Sequence, residues 1–308
     1  MARFDPFLER WRTPPVLRLL TPGIPFHGRH TNKVWRGLVH DEGGVGNGVE
    51  AIVKWMPKQE SIATELACAL AAQALYLRVP PGVIVLAEAD QLPGLPAYAV
   101  PESGAAVVCF GSELRWSDGL FVRPTPNNPE AEETVWNGLC HSKEGVPGAA
   151  WDELVANSDR HYENTLFDGR TWWLFDHERA LPPLATAMRR IADAAVRQKV
   201  IDYAAKQNEL AAQIVRRRPN DHRLADLPAE FAAHKTRLSW VVEQVKRWST
   251  GDSMVDGIFR MTEVILSSVQ IRLPALALHI GKRLQKPEGD SLWKPSSKSG
   301  SRARRSGQ

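Results

Sequence analysis

Between Val155 and Glu178 two short apolar runs are separated by three residues. Thr165-Leu166-Phe167 is followed by Asp168-Gly169-Arg170, and Thr171-Trp172-Trp173-Leu174-Phe175 comes next. Asp-Gly between two such runs is a strong hairpin signal, because glycine accepts the positive φ that a tight connection demands. The hairpin folds its two outer ends together. Its entry is Asp159-Arg160-His161-Tyr162-Glu163-Asn164, and its exit is Asp176-His177-Glu178. A carboxylate, a carboxamide and a second carboxylate are therefore expected at one edge of a strand-turn-strand unit.

That set suits phosphoryl transfer, which uses an aspartate to accept a hydroxyl proton and an Asn/Asp pair to hold Mg²⁺ on the phosphates. The D-x-x-x-x-N spacing matches a kinase catalytic loop. The form Asp159-Arg160-His161-x-x-Asn164 resembles the D-R-H-x-x-N of phosphoinositide kinases and of HipA-like bacterial kinases. Asn157, two residues before the aspartate, and Asp176-His177 after the hairpin look most like the HipA-like group. The resemblance implies an α+β, two-lobed protein-kinase-like fold. One lobe is a small antiparallel sheet with one helix, and the other is mainly helical. It also implies ATP and Mg²⁺ as cofactors, with Ser/Thr of a protein as acceptor. The D-R-H form alone also permits a lipid headgroup. The bland reading of the stretch is a surface hairpin with ordinary loop polars.

Upstream, the sequence supplies the remaining parts in order. Val16 to Leu20 reads as a first strand, Val34 to His40 as a second and Val49 to Trp55 as a third. The third carries Lys54 near its end and resembles the V-A-I-K strand whose lysine meets nucleotide phosphates. By itself such a lysine more often snorkels at a sheet edge. Ser61 to Leu77 follows as an Ala/Leu-rich helix in which Glu65 borders the apolar stripe, placed to pair with Lys54. Otherwise Glu65 is an exposed helical glutamate making local pairs. The ending Leu77-Arg78-Val79-Pro80-Pro81 resembles the corresponding turn of HipA-like kinases. Two more strands are expected, Val83 to Leu86 and Ala105 to Phe110. Phe110-Gly111-Ser112 resembles the segment that passes the adenine pocket, so Phe110, with Leu166 from the hairpin, is expected against the base.

Two segments compete as phosphate loop. Gly43 to Gly48 is glycine-rich but immediately precedes the lysine strand, where its glycines serve a turn. His27 to Lys33 lies in the right place between the first two strands. Its only glycine, Gly28, and Thr31, with Arg29 and Lys33, are the candidate phosphate contacts. Backbone N–H groups there have to do the cradling. In the family it resembles, that loop can itself be phosphorylated, and Thr31 is its single hydroxyl here.

Charge and composition limit the alternatives. The net charge is +4, with 39 Lys/Arg against 35 Asp/Glu. Lys286 to Gln308 carries six of the basic and two of the acidic residues, so the rest of the chain is neutral. Nucleic acid is thus a partner only through this basic tail, and that is the route to a DNA-associated regulator. Three cysteines do not make a disulfide framework, and a reducing, cytoplasmic setting is expected. Met1 to Arg12 lacks the apolar core of a signal peptide. Arg260, Glu263 and Arg272 argue against a membrane span in Ile258 to Ile280.

The expected organisation is a nucleotide-binding lobe over 1–112, a mainly helical catalytic lobe over 113–285 and a disordered tail over 286–308. The expected site is Asp159 as base, Lys54 with Glu65 on the phosphates, and Asn164 with Asp176 on the metal. A regulatory pseudokinase is the competing class, opposed by the retention of all five residues. Glu178 departs from the family pattern, standing where many kinases have glycine.

Overall fold

The computed structural model describes residues 11–26, 32–40, 48–102, 104–114, 128–182 and 193–284. Gly28, Thr31, most of the Gly43–Gly48 turn and the tail expected over 286–308 lie outside the described residues.

Strands β1 (Val16–Leu19), β2 (Ile24–Pro25), β3 (Lys33–His40), β4 (Val49–Trp55), β5 (Gly82–Ala87) and β6 (Val107–Glu113) form one sheet in the order β1-β5-β6-β4-β3-β2. β1 also pairs with β3, through Arg18↔His40 and Leu19↔Val39, so five strands close into a barrel. The closure corrects the expectation of an antiparallel sheet. β1 runs parallel to β5, pairing Val16↔Ile84 through Arg18↔Leu86. β2, a two-residue strand beside β3, was not foreseen. Alternation along each strand sorts the side chains. Trp35, Val39, Ala51, Val53, Val83, Val85, Val107 and Cys109 fill the barrel, whereas Ile84, Val108 and Phe110 face outward into the larger core.

That core is built on helix α1 (Gln59–Ala74), whose Ala/Leu-rich sequence is buried on nearly every side. Alanine's high helix propensity and small size allow close approach on several faces at once. The helix ends in a Schellman arrangement, with Leu77 N–H donating to Ala72 C=O at 2.8 Å and Tyr76 N–H to Gln73 C=O at 3.1 Å. Tyr76 holds the left-handed position, φ +60°, where glycine is usual. Its ring carries the Arg237 guanidinium at 4.1 Å.

Seven of the described helices follow the barrel: α2 (Pro129–His141), α3 (Gly145–Leu154), α4 (Ala194–Asp202), α5 (Glu209–Arg217), α6 (Arg223–Ala233), α7 (Lys235–Val245) and α8 (Ser253–Arg272). A ninth helix, α9 (Leu276–Leu284), closes the described chain. α6 carries Pro228 inside it, and the apolar residues Phe231 and Leu238 fall on separate helices divided at His234. Ser253–Leu284 is long and apolar enough to cross a membrane, with a mean hydropathy of 1.4, yet half of that window is buried inside the protein. Arg272, fully buried, donates to the carbonyls of Leu154 and Tyr203. A 3-10 turn at Leu273–Ala275, containing Pro274, separates α8 from α9.

Candidate active site

Between α3 and the pair β7 (Thr165–Phe167) and β8 (Trp172–Leu174), the chain makes a tight loop ending in a 3-10 turn, Tyr162–Asn164. The expected hairpin forms, with Thr165↔Leu174 and Phe167↔Trp172 in register. Asp168 locks its turn by accepting from the N–H of Arg170 at 2.9 Å, of Thr171 at 2.7 Å and of the Trp173 indole at 2.7 Å. Gly169 takes φ +87°. Phe175 N–H donates to Asn164 C=O at 3.2 Å, so Asn164 and Asp176 emerge side by side at the open end. Asp176 itself has φ +62°, a left-handed conformation that costs a non-glycine residue about 1 kcal/mol or more.

A cleft of about 380 Å³ opens between this end, the barrel and α1. That size is ordinary for a site taking a small organic ligand. Lys54, Glu65, Phe110, Asp159, Asn164, Leu166 and Asp176 all line it. Lys33, a candidate phosphate contact at the start of β3, is exposed and does not line the cleft. Its inner wall is apolar, made by Val34, Ile52, Val79, Phe110 and Leu166.

Lys54 projects from β4 between its partners Val34 and Phe110. Its ammonium meets Asp176 at 2.6 Å, Glu178 at 3.0 Å and Glu65 at 3.2 Å. Burial alone depresses the lysine, but these carboxylates outweigh it and hold its pKa above the ordinary value. Burial likewise pushes Glu65 up to about 7, opposed by Lys54 and by the donated N–H of His177. Asp176 is raised by burial but pulled lower overall by Lys54. Oxygens of Glu65, Asp176 and Glu178 lie within 4.8 Å of one another, with the ammonium ion-paired to all three.

Behind this surface is a buried ion pair that the sequence analysis missed. Asp152 on α3 accepts from Arg160 at both oxygens, each at 3.0 Å, and both side chains are fully buried. Arg160 also donates to Asn164 C=O at 2.8 Å and to Phe175 C=O at 2.7 Å. One guanidinium thus fixes the backbone beside both metal-ligand candidates. Asn157 donates to Asp152 at 3.1 Å and accepts from Asp159 N–H at 3.1 Å, which sets the start of the loop. His177 Nε2 receives both the Trp151 indole N–H at 3.0 Å and Arg160 at 2.9 Å. Two donors on Nε2 put the ring proton on Nδ1 and keep the imidazole neutral. Burial, and then Arg160 and Lys54, push its pKa well below the ordinary value. The one available signal for Asp152 is a carboxylate in the otherwise apolar Gly148-Ala149-Ala150-Trp151 turn.

At the mouth, Asp159 is about one-third exposed, with Arg179 at 3.4 Å. Asn164 Nδ2 donates to Asp159 C=O at 3.0 Å, which leaves the carboxamide oxygen as its acceptor end. His161 is half-exposed and faces Glu163 at 3.9 Å, outside the buried network.

The fold is similar to that of a solved structure. The crystal structure of the Helicobacter pylori proinflammatory kinase CtkA is similar over 87% of this chain and 99% of its own, with a TM-score of 0.52 and 10% sequence identity. This chain has a kinase-like fold. No protein-family model matches the chain, and no curated protein matches it in sequence. Within that kinase-like fold, the cleft just described lies where the barrel, α1 and the hairpin meet.

Proposed function

We propose that the protein is an ATP- and Mg²⁺-dependent kinase of the HipA-like type, moving the γ-phosphate to a hydroxyl, with Ser/Thr of a protein as the acceptor. The carrying observation is the convergence of Lys54, Glu65, Asp159, Asn164 and Asp176 on one cleft. In this reading residues 1–112 and 113–285 are the two lobes that enclose it.

The residues suit the ligands assigned to them. The apolar wall of Ile52, Val79, Phe110 and Leu166 takes the flat base. Asp176 and the Asn164 carboxamide present hard oxygen donors, the kind Mg²⁺ prefers. Bound there, Mg²⁺ neutralises charge on the phosphates. Glu65 holds Lys54 toward the α- and β-phosphates. Asp159 accepts the proton of the acceptor hydroxyl as its oxygen forms the new bond to phosphorus, and the bond from phosphorus to the ADP oxygen breaks. Arg160, tied to Asp152, keeps the two metal ligands in register and touches no substrate.

Incubation with γ-labelled ATP and Mg²⁺, with and without cell extract, tests the proposal. Label on protein that disappears in an Asp159→Asn variant supports it. Absence of nucleotide binding by the wild type in Mg²⁺ overturns it.

A further inference from the structure

The cleft has an unexpected charge for a pocket assigned to a polyanion. Among the described residues its wall carries six carboxylates, those of Glu65, Glu113, Asp159, Glu163, Asp176 and Glu178. Among the same described residues two permanent cations, Lys54 and Arg179, stand against them. Arg179 already faces Asp159, and Lys54 donates to Glu65 and Asp176 and is ion-paired with Glu178 at 3.0 Å. Glu65 and Asp176 have roles in the reaction proposed above. Glu178 has none. It is nevertheless built in, with its side chain 16% exposed and one oxygen 2.6 Å from Asn32 Nδ2, at the start of the barrel's second long strand.

We infer that Glu178 is a specificity-determining residue that admits the nucleotide only as its divalent-cation complex. The inference rests on the kinase reading and deepens it. A bare triphosphate approaching Lys54 meets two carboxylates that already satisfy the ammonium, and it has to displace both while adding its own negative charge. At these separations like charges in a partly buried cleft repel strongly. A divalent cation arriving with the phosphates changes both conditions. It engages Asp176, frees Lys54 from that partner and cancels charge facing Glu178. Glu178 stays on Asn32 throughout. It is thus a fixed negative charge that sets which form of the nucleotide is tolerated.

Calorimetric titration with ADP and a non-transferable ATP analogue, in Mg²⁺ and in chelator, tests this. The wild type should bind about 100-fold tighter with Mg²⁺. Glu178→Gln keeps an acceptor for Asn32 and Lys54 but removes the charge, so it should raise the chelator affinity about tenfold or more and leave the Mg²⁺ affinity within about twofold. An unchanged ratio in Glu178→Gln overturns the inference. So does a loss confined to the Mg²⁺ affinity, which would make Glu178 a metal ligand instead. A second arm needs no variant. In chelator, wild-type affinity should fall from AMP to ADP to ATP, and Mg²⁺ should reverse the order; affinity that rises with phosphate number in chelator overturns the inference. A wild type that binds no nucleotide in Mg²⁺ overturns the kinase reading and this inference together. The other failures leave the kinase reading standing.

Discussion

Asp159 and Asp152 are both aspartates of one catalytic segment, and their surroundings give them opposite parts. Asp159 sits at a wet cleft mouth, with Arg179 at 3.4 Å. Asp159→Asn should leave the unfolding temperature and nucleotide affinity unchanged while phosphoryl transfer falls by about 10²–10⁴-fold, as read by single-turnover assay. Asp152 is dry and paired, so Asp152→Ala strands a buried guanidinium. Breaking such a pair costs about 3–5 kcal/mol. Urea denaturation should show that loss, and transfer should fall as well because Asn164 and Asp176 lose their common support. A midpoint unmoved in Asp152→Ala would remove the ion pair from the account. Asp159, Asn164 and Asp176 were legible in the sequence because a turn signal fixed their mutual placement. Lys54 and Glu65 were legible only through resemblance. Asp152 was not legible, because pairing across eight residues between a helix and a loop leaves no periodic trace.

Among the elements, the strands other than β2 were readable from their apolar runs and the barrel was not. Closure depends on β1 lying parallel to β5, which joins residues 16–18 to 84–86 through everything between them. No local pattern encodes that pairing. A β1 whose residues are mostly half-buried gives only a weak preference for either neighbour. The closed interior does leave a mark at Gly111. A Cβ there would stand 2.5 Å from Val85 Cγ2 and 2.8 Å from Val83 Cγ2. Gly111→Ala should therefore cost about 1–3 kcal/mol through overpacking. Chemical denaturation checks this, and Val85→Ala in the same chain should restore part of the loss. The helical half was harder to divide, since Pro228 within α6 and the break at His234 lie on a continuous apolar stripe.

For the molecule as a whole, two buried groups link stability to pH with opposite signs. Glu65, raised from 4.5 to about 7, contributes stability that is full below pH 4.5 and lost as the pH rises toward 7. His177, depressed well below 6.5, contributes stability present above pH 6.5 and lost as the pH falls below it. Between 4.5 and 6.5 the two oppose each other. Glu65→Gln leaves His177 alone, so its unfolding temperature should fall progressively relative to wild type from pH 7 to 4.5. A constant offset across that range would exclude the Glu65 linkage. The long-range packing also bears on how the protein is made. Trp11 is fully buried and its carbonyl accepts from the Trp248 indole at 3.0 Å, while α1 packs chiefly on α8. Trp11 and α1 thus complete their packing only with residues synthesised much later. Roughly 200 residues separate α1 from the end of α8, so at about 5–20 residues per second the ribosome holds α1 without that partner for about 10–40 s. During that interval an Ala/Leu surface destined for the interior is open to other nascent chains. Yield in the cell should therefore follow elongation rate and chaperone supply more closely than the equilibrium stability of the finished protein.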